Sequence, residues 1–253
     1  FTGLSSDLFG DVLRNQLVAS KVDATPCAIS DRPTTLAFVK LVDGHASYAF
    51  YDENTAGRML TIDDWPDVAA DAMFFGGISL VVEPCASTYE ALMLKEAPTR
   101  LTMIDPNIRP SFIKDEDTYR ARIMRMMSAS DIVKTSDEDL EWISGGTDAN
   151  ALLGDNDTRI VLLTRGSKGV TIVTRDGSRD VLAEKATVVD TVGAGDTFNA
   201  GFLEGLSRGG FLSKKALLKA SLDDLAEAAA LGAKAAAITV SRAGANPPWN
   251  HEL

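Results

Sequence analysis

A short turn near the end of the chain combines small residues with a carboxylate. The sequence Gly193-Ala194-Gly195-Asp196 stands between a β-branched run and an apolar segment with helical spacing. Free backbone N–H groups at the start of such a helix bind anions, and the helix dipole strengthens that binding. The small side chains let a phosphoryl group approach, while Asp196 can accept the proton of an attacking hydroxyl. This arrangement indicates phosphoryl transfer from a nucleotide to an alcohol.

The same turn has a second interpretation. A glycine turn followed by an aspartate that caps the next helix is common in α/β proteins. Four residues alone say little about function. The elements around the turn and the wider motif must therefore decide between a site and a simple cap.

The elements that would position this turn alternate along the chain from residue 71 onward. Predicted strands cover 71–78, 99–107, 130–136 and 159–166, and predicted helices cover 87–97, 118–129, 137–144, 196–207 and 213–237. A further hairpin is predicted over 169–184 around Asp176-Gly177. We expect strand 71–78 to be buried. Short apolar strands between amphipathic helices predict an α/β fold, with a mostly parallel sheet covered on both faces. Ligands of such sheets bind beyond the carboxyl ends of the strands.

The first part of the chain predicts a helix over 5–20 and a β-hairpin over 34–52 around Asp43-Gly44. We expect one domain over 1–253, with 33–62 forming a small β-sheet lid. Its exposed apolar strands either close over a ligand or pair with another subunit, as a homodimer. Both interpretations can hold together.

Composition limits the class of partner and the compartment. The formal net charge is −11 and the pI is near 4.7, so we expect no nucleic acid partner. No apolar run reaches membrane-spanning length. With only Cys27 and Cys85, we expect free thiols, no structural zinc and a cytoplasmic location. The chain begins with Phe1 inside a helix entrance, which leads us to expect residues in front of it.

The wider stretch DTVGAGDTFNAGF, residues 190–202, resembles the signature of the PfkB (ribokinase-like) family of carbohydrate kinases. DPNIRP (105–110), LLTRGSKGV (162–170) and SRAGANPP (241–248) are similar to three further elements of that family. Gly3, Asp7 and Gly10 match its GxxxDxxG element, and the predicted lid is most similar to that of fructokinases. The resemblance covers nearly the whole chain and implies the ribokinase-like fold.

The resemblance also implies roles for individual residues. Asp196 becomes the general base, and the amides of Gly193, Ala194 and Gly195 become the anion hole for the γ-phosphate of ATP. The other implied contacts are nucleotide binding at Thr164, Gly166 and Gly244, phosphate and sugar contacts at Asn107 and Arg109, and sugar-facing lid positions at Thr35, Ala37, Tyr48 and Phe50. Mg²⁺ is the implied metal, and Asp190 lies in a stretch that suits K⁺.

Several of these assignments have structural alternatives. Asn107 either contacts ligand or forms an Asx-turn before Ile108, and Arg109 is either a ligand contact or a surface arginine. Where many relatives carry an NxxE element, this chain has Ser136 and Asp139. Asp139 either acts on Mg²⁺ through water or is an exposed residue of a short helix.

A larger departure lies at the front of the chain. The family's first strands hold the sugar with an aspartate and a Gly-Gly-x-x-Asn element, and these have no counterpart here. We therefore expect either a longer protein or a chain that is not a working kinase.

The expected function is an ATP-dependent sugar kinase that phosphorylates a primary hydroxyl, and fructose is the expected sugar. Its rivals are 2-keto-3-deoxygluconate kinase, ribokinase and nucleoside kinase. An acidic sugar would require a second cation, for which Arg32 or Arg58 is available. A kinase-like protein that binds ligand without catalysis is a further alternative. A dinucleotide-binding oxidoreductase fits less well, because its glycine fingerprint belongs after the first strand.

Overall fold

The structure is a computed structural model that describes residues 1–42, 45–67, 69–154 and 157–253. Its strands are β1 (Gly3–Ser5), β2 (Ala28–Ser30), β3 (Leu36–Val42), β4 (His45–Tyr51), β5 (Ala72–Gly76), β6 (Leu101–Asp105), β7 (Ile132–Ser136), β8 (Ile160–Thr164), β9 (Val170–Thr174) and β10 (Gly177–Val181). Its α-helices are α1 (Leu8–Ala19), α2 (Cys85–Glu96), α3 (Glu116–Ala129), α4 (Asp137–Ser144), α5 (Ala194–Arg208), α6 (Lys214–Leu217) and α7 (Leu222–Val240). Among these described helices, none combines the length and apolar character that a membrane span requires.

A six-stranded sheet forms the centre of the molecule, with the strand order β10-β9-β8-β7-β6-β5. Strands β5 to β8 run parallel, whereas β9 and β10 are each antiparallel to their neighbour. One face packs on α2, α3 and α4, and the other on α5, α6 and α7. The predicted mostly parallel sheet with helices on both faces is confirmed.

Side-chain alternation along β6 and β7 explains how the two cores form. Leu101, Met103 and Ile132 belong to the cluster on the α5 side, while Ile104 and Val133 belong to the opposite cluster. Successive residues of a strand point to opposite faces, so each strand supplies both cores. Nearly continuous apolar sequence is the consequence of burial on both faces.

Helix α5 is held against α7 by close backbone packing. A Cβ atom on Gly201 would lie only 2.8 Å from the Cα of Gly232, which leaves no room for a side chain. Phe198 and Phe202 then fill the space between α5 and the sheet. The position of the start of α5 is therefore fixed by helix packing and by the core.

Strands β3 and β4 form a separate antiparallel hairpin that is not hydrogen-bonded into the central sheet. The backbone register pairs Ala37 with Phe50 and Val39 with Tyr48. The ring of Phe50 contacts that of Phe112 edge to face, with 4.7 Å between centroids. The predicted hairpin is confirmed, and its turn at Asp43-Gly44 lies outside the described residues.

Two predictions about elements are wrong. The single helix predicted over 213–237 is divided into α6 and α7, because Ser221 caps α7 and forms a reciprocal capping box with Asp224. The strand predicted as buried over 71–78 forms β5 at the edge of the described sheet, where Phe74 is 44% exposed.

The base of the hairpin is joined to α1 through one carboxylate. Asp7 caps α1 by accepting the amide of Gly10 at 2.8 Å, and it also accepts the hydroxyl and amide of Thr34 at 2.6 and 2.8 Å. The Thr34 hydroxyl, followed by the Gly10 and Thr34 amides, holds the pKa of Asp7 far below its ordinary value of 3.8. The ionised carboxylate is thus the stabilising form.

We expect Asp7→Asn to lower the Tm by a few degrees at neutral pH, because the amide weakens these bonds. The lowered pKa means that the stabilisation is complete above 3.8 and is lost as the pH falls further. The Tm difference between variant and wild type should therefore shrink below pH 3.8, as thermal denaturation can measure. Asp11→Asn is the control on the same helix, since the side chain of Asp11 pairs with Arg14 on the exposed surface of that helix. A Tm difference that grows in acid would contradict this account.

Candidate functional site

Gly193 is the N-cap residue of helix α5; its φ of 78° is left-handed, and it provides no side-chain capping bond. Glycine adopts this conformation without steric cost, and the first amides of the helix stay open. Asp196 lies inside the first turn and is exposed. Its carboxylate has no hydrogen-bond partner or ion pair within the described part of the chain. The interpretation of Asp196 as the helix cap is therefore wrong.

The backbone amides of the turn differ in whether they donate a hydrogen bond. Ala194 donates its N–H to the carbonyl of Thr191 at 3.3 Å, a long hydrogen bond. No described residue accepts the N–H groups of Gly193 or Gly195. The Gly193 carbonyl accepts the hydroxyl of Thr197 at 2.8 Å, which fixes the turn on the helix. The turn therefore presents donors at the positive end of the α5 dipole, as an anion site requires.

A cavity of about 690 Å³ opens beside this turn. Its lining includes Ala194 and Gly195 together with Thr164 and Gly166, which follow from the end of β8. Ala233, Ala236, Ala237 and Val240 of α7 form a wall of small apolar side chains. The cavity thus joins an open amide turn to an apolar wall that suits a flat base. The structure brings together Thr164 and Gly166 with the turn, as the sequence predicts.

The side chain of Asp190 links the residues just before the glycine turn to the C-terminal segment of the chain. Its carboxylate accepts the amide of Val192 at 3.0 Å and the amide of Gly244 at 2.9 Å. The first of these bonds, then the second, lowers the pKa of Asp190. Gly244 is not among the residues that line the described cavity, and its amide bond to Asp190 is the contact that relates it to this region.

At the end of β6, Asn107 adopts an uncommon backbone conformation with φ of 46°. Within the described residues its side chain makes no hydrogen bond, so the Asx-turn alternative is not present. Arg109 is exposed and donates to the carbonyl of its neighbour Ile108 at 2.9 Å. Strained backbone of this type clusters at functional sites, which draws attention to the Asn107–Arg109 loop.

Asp139 is only 5% exposed, so the alternative of an exposed helix residue is wrong. One carboxylate oxygen accepts the amide of Ile108 at 2.9 Å, and the other accepts that of Ser136 at 3.4 Å in a capping box. The side chain therefore ties the loop after β6 to the start of α4. Across the described residues, no group of three or more His, Cys, Asp or Glu side chains is arranged to hold a metal ion.

Sequence reasoning missed a buried polar cluster beneath the turn. Lys134 of β7 donates to Asp105 Oδ2 at 2.9 Å, and Asn199 of α5 donates to the same oxygen at 2.8 Å. All three residues are at most 5% exposed. Asp105, the last residue of β6, and Lys134, in the middle of β7, lie on the α5 face and continue the register of Met103 and Ile132. The signal available in the sequence was a charged residue on the core face of each of two neighbouring strands.

The hairpin brings part of its predicted surface toward the loop after β6. Phe50 contacts Phe112, three residues after Arg109. Thr35 forms a hydroxyl–hydroxyl bond with Thr55 at 2.8 Å, outside the paired strands. Ala37 is exposed, and the side chain of Tyr48 lies outside the described residues.

Comparison with known proteins confirms the resemblance. A family model described as pfkB family carbohydrate kinase matches residues 2–252. A fructokinase of Rhizobium leguminosarum bv. trifolii is 51% identical over 231 residues, which cover 89% of this chain and 70% of that protein. Fructokinase-2 of Zea mays is 32% identical over 213 residues, 80% of this chain and 63% of its own length. This chain therefore spans less than two thirds of the maize relative.

A solved structure supports the same relationship. The structure of a fructokinase with bound ATP from Xylella fastidiosa superposes with a TM-score of 0.89 at 26% identity, covering 97% of this chain and 80% of that one. The match extends the likeness from sequence to the arrangement of the elements, and it confirms the predicted ribokinase-like fold.

We expect Gly193→Ala to weaken binding of a nucleoside triphosphate by about tenfold or more, because it strains the turn that carries the candidate anion-binding amides. The added Cβ would also lie 3.1 Å from that of Ala245. Titration calorimetry with ATP measures the effect. Gly210→Ala is the matched control, since Gly210 has a similar φ of 76° and open space around it. Equal losses of affinity in both variants would contradict a specific role for the turn.

Proposed function

Because this chain belongs to the pfkB family of carbohydrate kinases, we propose that the protein is an ATP-dependent fructokinase that phosphorylates a primary hydroxyl of fructose. The observation that carries the proposal is the open turn at Gly193–Gly195 beside the unpaired carboxylate of Asp196. The high identity to a fructokinase supports the sugar, and the ATP-bound relative supports the nucleotide.

In this mechanism the exposed Asp196 accepts the proton of the sugar hydroxyl. The hydroxyl oxygen forms a bond to the γ-phosphorus as the bond from that phosphorus to the bridging oxygen breaks, and ADP leaves with its electron pair. The amides of Gly193 and Gly195 stabilise the charge on the transferring group, and Ala194 contributes when its long bond to Thr191 opens. Thr164 and Gly166 lie along the nucleotide, and Gly244 supports this region through Asp190.

Metal ions enter the proposal in a limited way. Mg²⁺ neutralises phosphate charge when bound, and it commonly keeps several waters and few protein ligands. The absence of a carboxylate cluster among the described residues fits an ion held by phosphates and water. Asp139 then acts through water, while its amide bonds orient the loop after β6. For K⁺, the carboxylate of Asp190 is the candidate ligand.

Asn107 and Arg109 are proposed to contact the phosphate and sugar, because both follow β6 at the carboxyl edge of the sheet. The hairpin over 33–62 is proposed as a lid on a single domain, 1–253. Phe50 supports this, since its contact with Phe112 directs one face of the hairpin to that loop. Tyr48 and Ala37 share that face by register, and Thr35 continues it.

The opposite face of the hairpin supports a second proposal, a homodimer. Phe38 and Tyr51 are 57% and 63% exposed and contact each other edge to face. Large apolar side chains of this kind on a free two-stranded sheet favour pairing with a second copy.

The rival acidic sugars fit less well. Arg58 pairs with Asp52 at 3.4 Å, and Arg32 donates to Asn54. Both candidate cations are therefore already engaged. A cytoplasmic enzyme acting on a neutral sugar, without nucleic acid or membrane partners, remains our proposal.

We expect Asp196→Asn to lower kcat by about 100- to 10,000-fold, because an amide cannot accept the hydroxyl proton. ATP affinity should change little. A coupled assay of ADP release with a panel of sugars measures turnover in the full-length protein. Asp176→Asn, an exposed change in the β9–β10 turn, is the control. Unchanged turnover in Asp196→Asn, or no turnover of any sugar by the wild type, would refute the proposal.

We expect Phe50→Ala to raise the KM for fructose by about tenfold with a smaller effect on kcat, because the lid loses an apolar contact at the sugar side. Phe38→Ala, on the opposite face, should leave the KM unchanged. Steady-state kinetics with fructose separate the two.

The same two variants, Phe50→Ala and Phe38→Ala, also test the proposed homodimer. Phe38→Ala should shift sedimentation toward the monomer, whereas Phe50→Ala should not. An increase of KM in Phe38→Ala alone, or no change of mass in Phe38→Ala, would overturn the corresponding assignment.

A further inference from the structure

The buried cluster of Asp105, Lys134 and Asn199 lies where the side chains of the core change from apolar to polar. On the α5 face, Met103 pairs in register with Ile132 of the next strand, and both are fully buried. One alternation further along, the same face carries Asp105 and Lys134, which are 2% and 5% exposed. An apolar layer is thus followed by an ion pair at the carboxyl edge.

Stability alone gives no reason for this ion pair. Replacing a buried ion pair by well-packed apolar residues is often neutral or stabilising. The cluster also leaves Asp105 Oδ1 and Asn199 Oδ1 buried without a hydrogen-bond partner among the described residues. Such unsatisfied atoms cost stability, so the cluster calls for a functional explanation.

The ammonium of Lys134 lies directly under the open turn of α5. A Cβ atom built on Gly195 would be 3.3 Å from Lys134 Nζ, and among the described residues outside its own helix and chain neighbours no other atom comes within 4 Å of it. The first turn of α5 already carries the positive end of the helix dipole. A cation at this place is repelled by the empty turn, and the repulsion is relieved when an anion binds there.

Asp105 and Asn199 determine where the ammonium stays. Lys134 and Asn199 both donate to a single carboxylate oxygen, Asp105 Oδ2, so the lysine side chain is anchored on the sheet side. Asn199 comes from the second turn of α5, and it therefore connects the anchor to the helix that carries Asp196. The positive charge is held in a fixed place before any ligand binds, which is the condition for electrostatic preorganisation.

We propose that Lys134 is a positioning residue of the phosphate site: its anchored ammonium raises the positive potential of the Gly193–Gly195 turn and strengthens its hold on the terminal phosphate of a nucleoside triphosphate. This inference rests on the proposed function. It adds a residue that lies outside the glycine turn and the strand-end motifs.

The test compares ligands that differ in phosphate charge. In the full-length protein, Lys134→Met should weaken ATP binding by about tenfold and leave the affinity for adenosine unchanged, because only the phosphates feel the charge. Titration calorimetry with ATP, ADP and adenosine measures the ratio. The kcat with fructose should fall while the KM for fructose stays, and Lys134→Arg should recover part of the ATP affinity.

Lys214→Met is the matched control. Lys214 pairs at 2.7 Å with Asp131, a fully buried carboxylate just before β7, at the opposite end of that strand. This variant also removes a cation from a buried carboxylate without touching the turn, although Asp131 keeps Arg159 at 3.7 Å. Its ratio of ATP to adenosine affinity should equal that of the wild type.

A second variant covers the case in which Lys134→Met does not fold. Asp105→Asn combined with Lys134→Met removes both charges, so no unpaired carboxylate stays buried to repel the phosphates, and it should show a smaller loss for ATP with affinity for adenosine again unchanged. Equal losses for ATP and adenosine, or an unchanged ratio, would overturn the inference. If the wild type phosphorylates fructose while the ratio is unchanged, only this inference fails. A wild type that neither binds ATP nor phosphorylates a sugar refutes the proposed function and the inference together.

Discussion

The left-handed start of α5 is the constraint on which the site depends. With Gly193 at φ 78°, the chain enters the helix without a side chain over its first amides. Those amides can then face a ligand, while the helix dipole adds positive potential. The packing of Gly201 against Gly232 and the bond from Thr197 to the Gly193 carbonyl keep this turn in place. The small residues of the motif therefore have two separate tasks, one in the turn and one in the helix interface.

The side chains of the central sheet change from apolar to polar along the strands, toward the site. Its middle is apolar on both faces and provides the core, whereas its carboxyl edge carries polar groups on the α5 side. Asp105 and Lys134 belong to that edge, and Thr164 of β8 donates to the Thr135 carbonyl there at 3.3 Å. Parallel strands bring their carboxyl ends to one side of the sheet, so distant segments contribute to one place. The middle of each strand thus stabilises the fold, whereas its carboxyl end supplies the polar groups of the candidate site.

Local signals explain what the sequence predicted well. Helix α4 has the predicted bounds because Ser136 and Asp139 form a capping box within four residues. The break between α6 and α7 had a similar signal at Ser221, but the long apolar stretch around it favoured one helix. The glycine turn and its carboxylate were found because the motif lies within a single short stretch.

Contacts between distant segments explain what the sequence did not predict. The carboxylate of Asp139 accepts the amide of Ile108, 31 positions away, and no local pattern distinguishes that role from metal binding. The bond between Asn199 and Asp105 spans 94 positions. Strand register is needed to see that Asp105 and Lys134 share a face. The exposed apolar residues of α1, such as Leu8 at 74%, show the same limit, because helical spacing predicts a face and not what covers it.

The two attachments of the hairpin bear on how the proposed kinase would protect its reaction. An open amide turn beside an exposed carboxylate can also direct water at a phosphoryl group, and closing a site is the usual way to exclude that water. Asp7 fixes the base of the hairpin through Thr34, and Phe50 contacts Phe112 near the loop after β6. Phe50 pairs in register with Ala37, three residues after Thr34, so both attachments lie near the base of the hairpin. In the proposed kinase, the directional hydrogen bonds of Asp7 would keep this base in place, whereas the less directional aromatic contact would be the one that yields when the sugar enters.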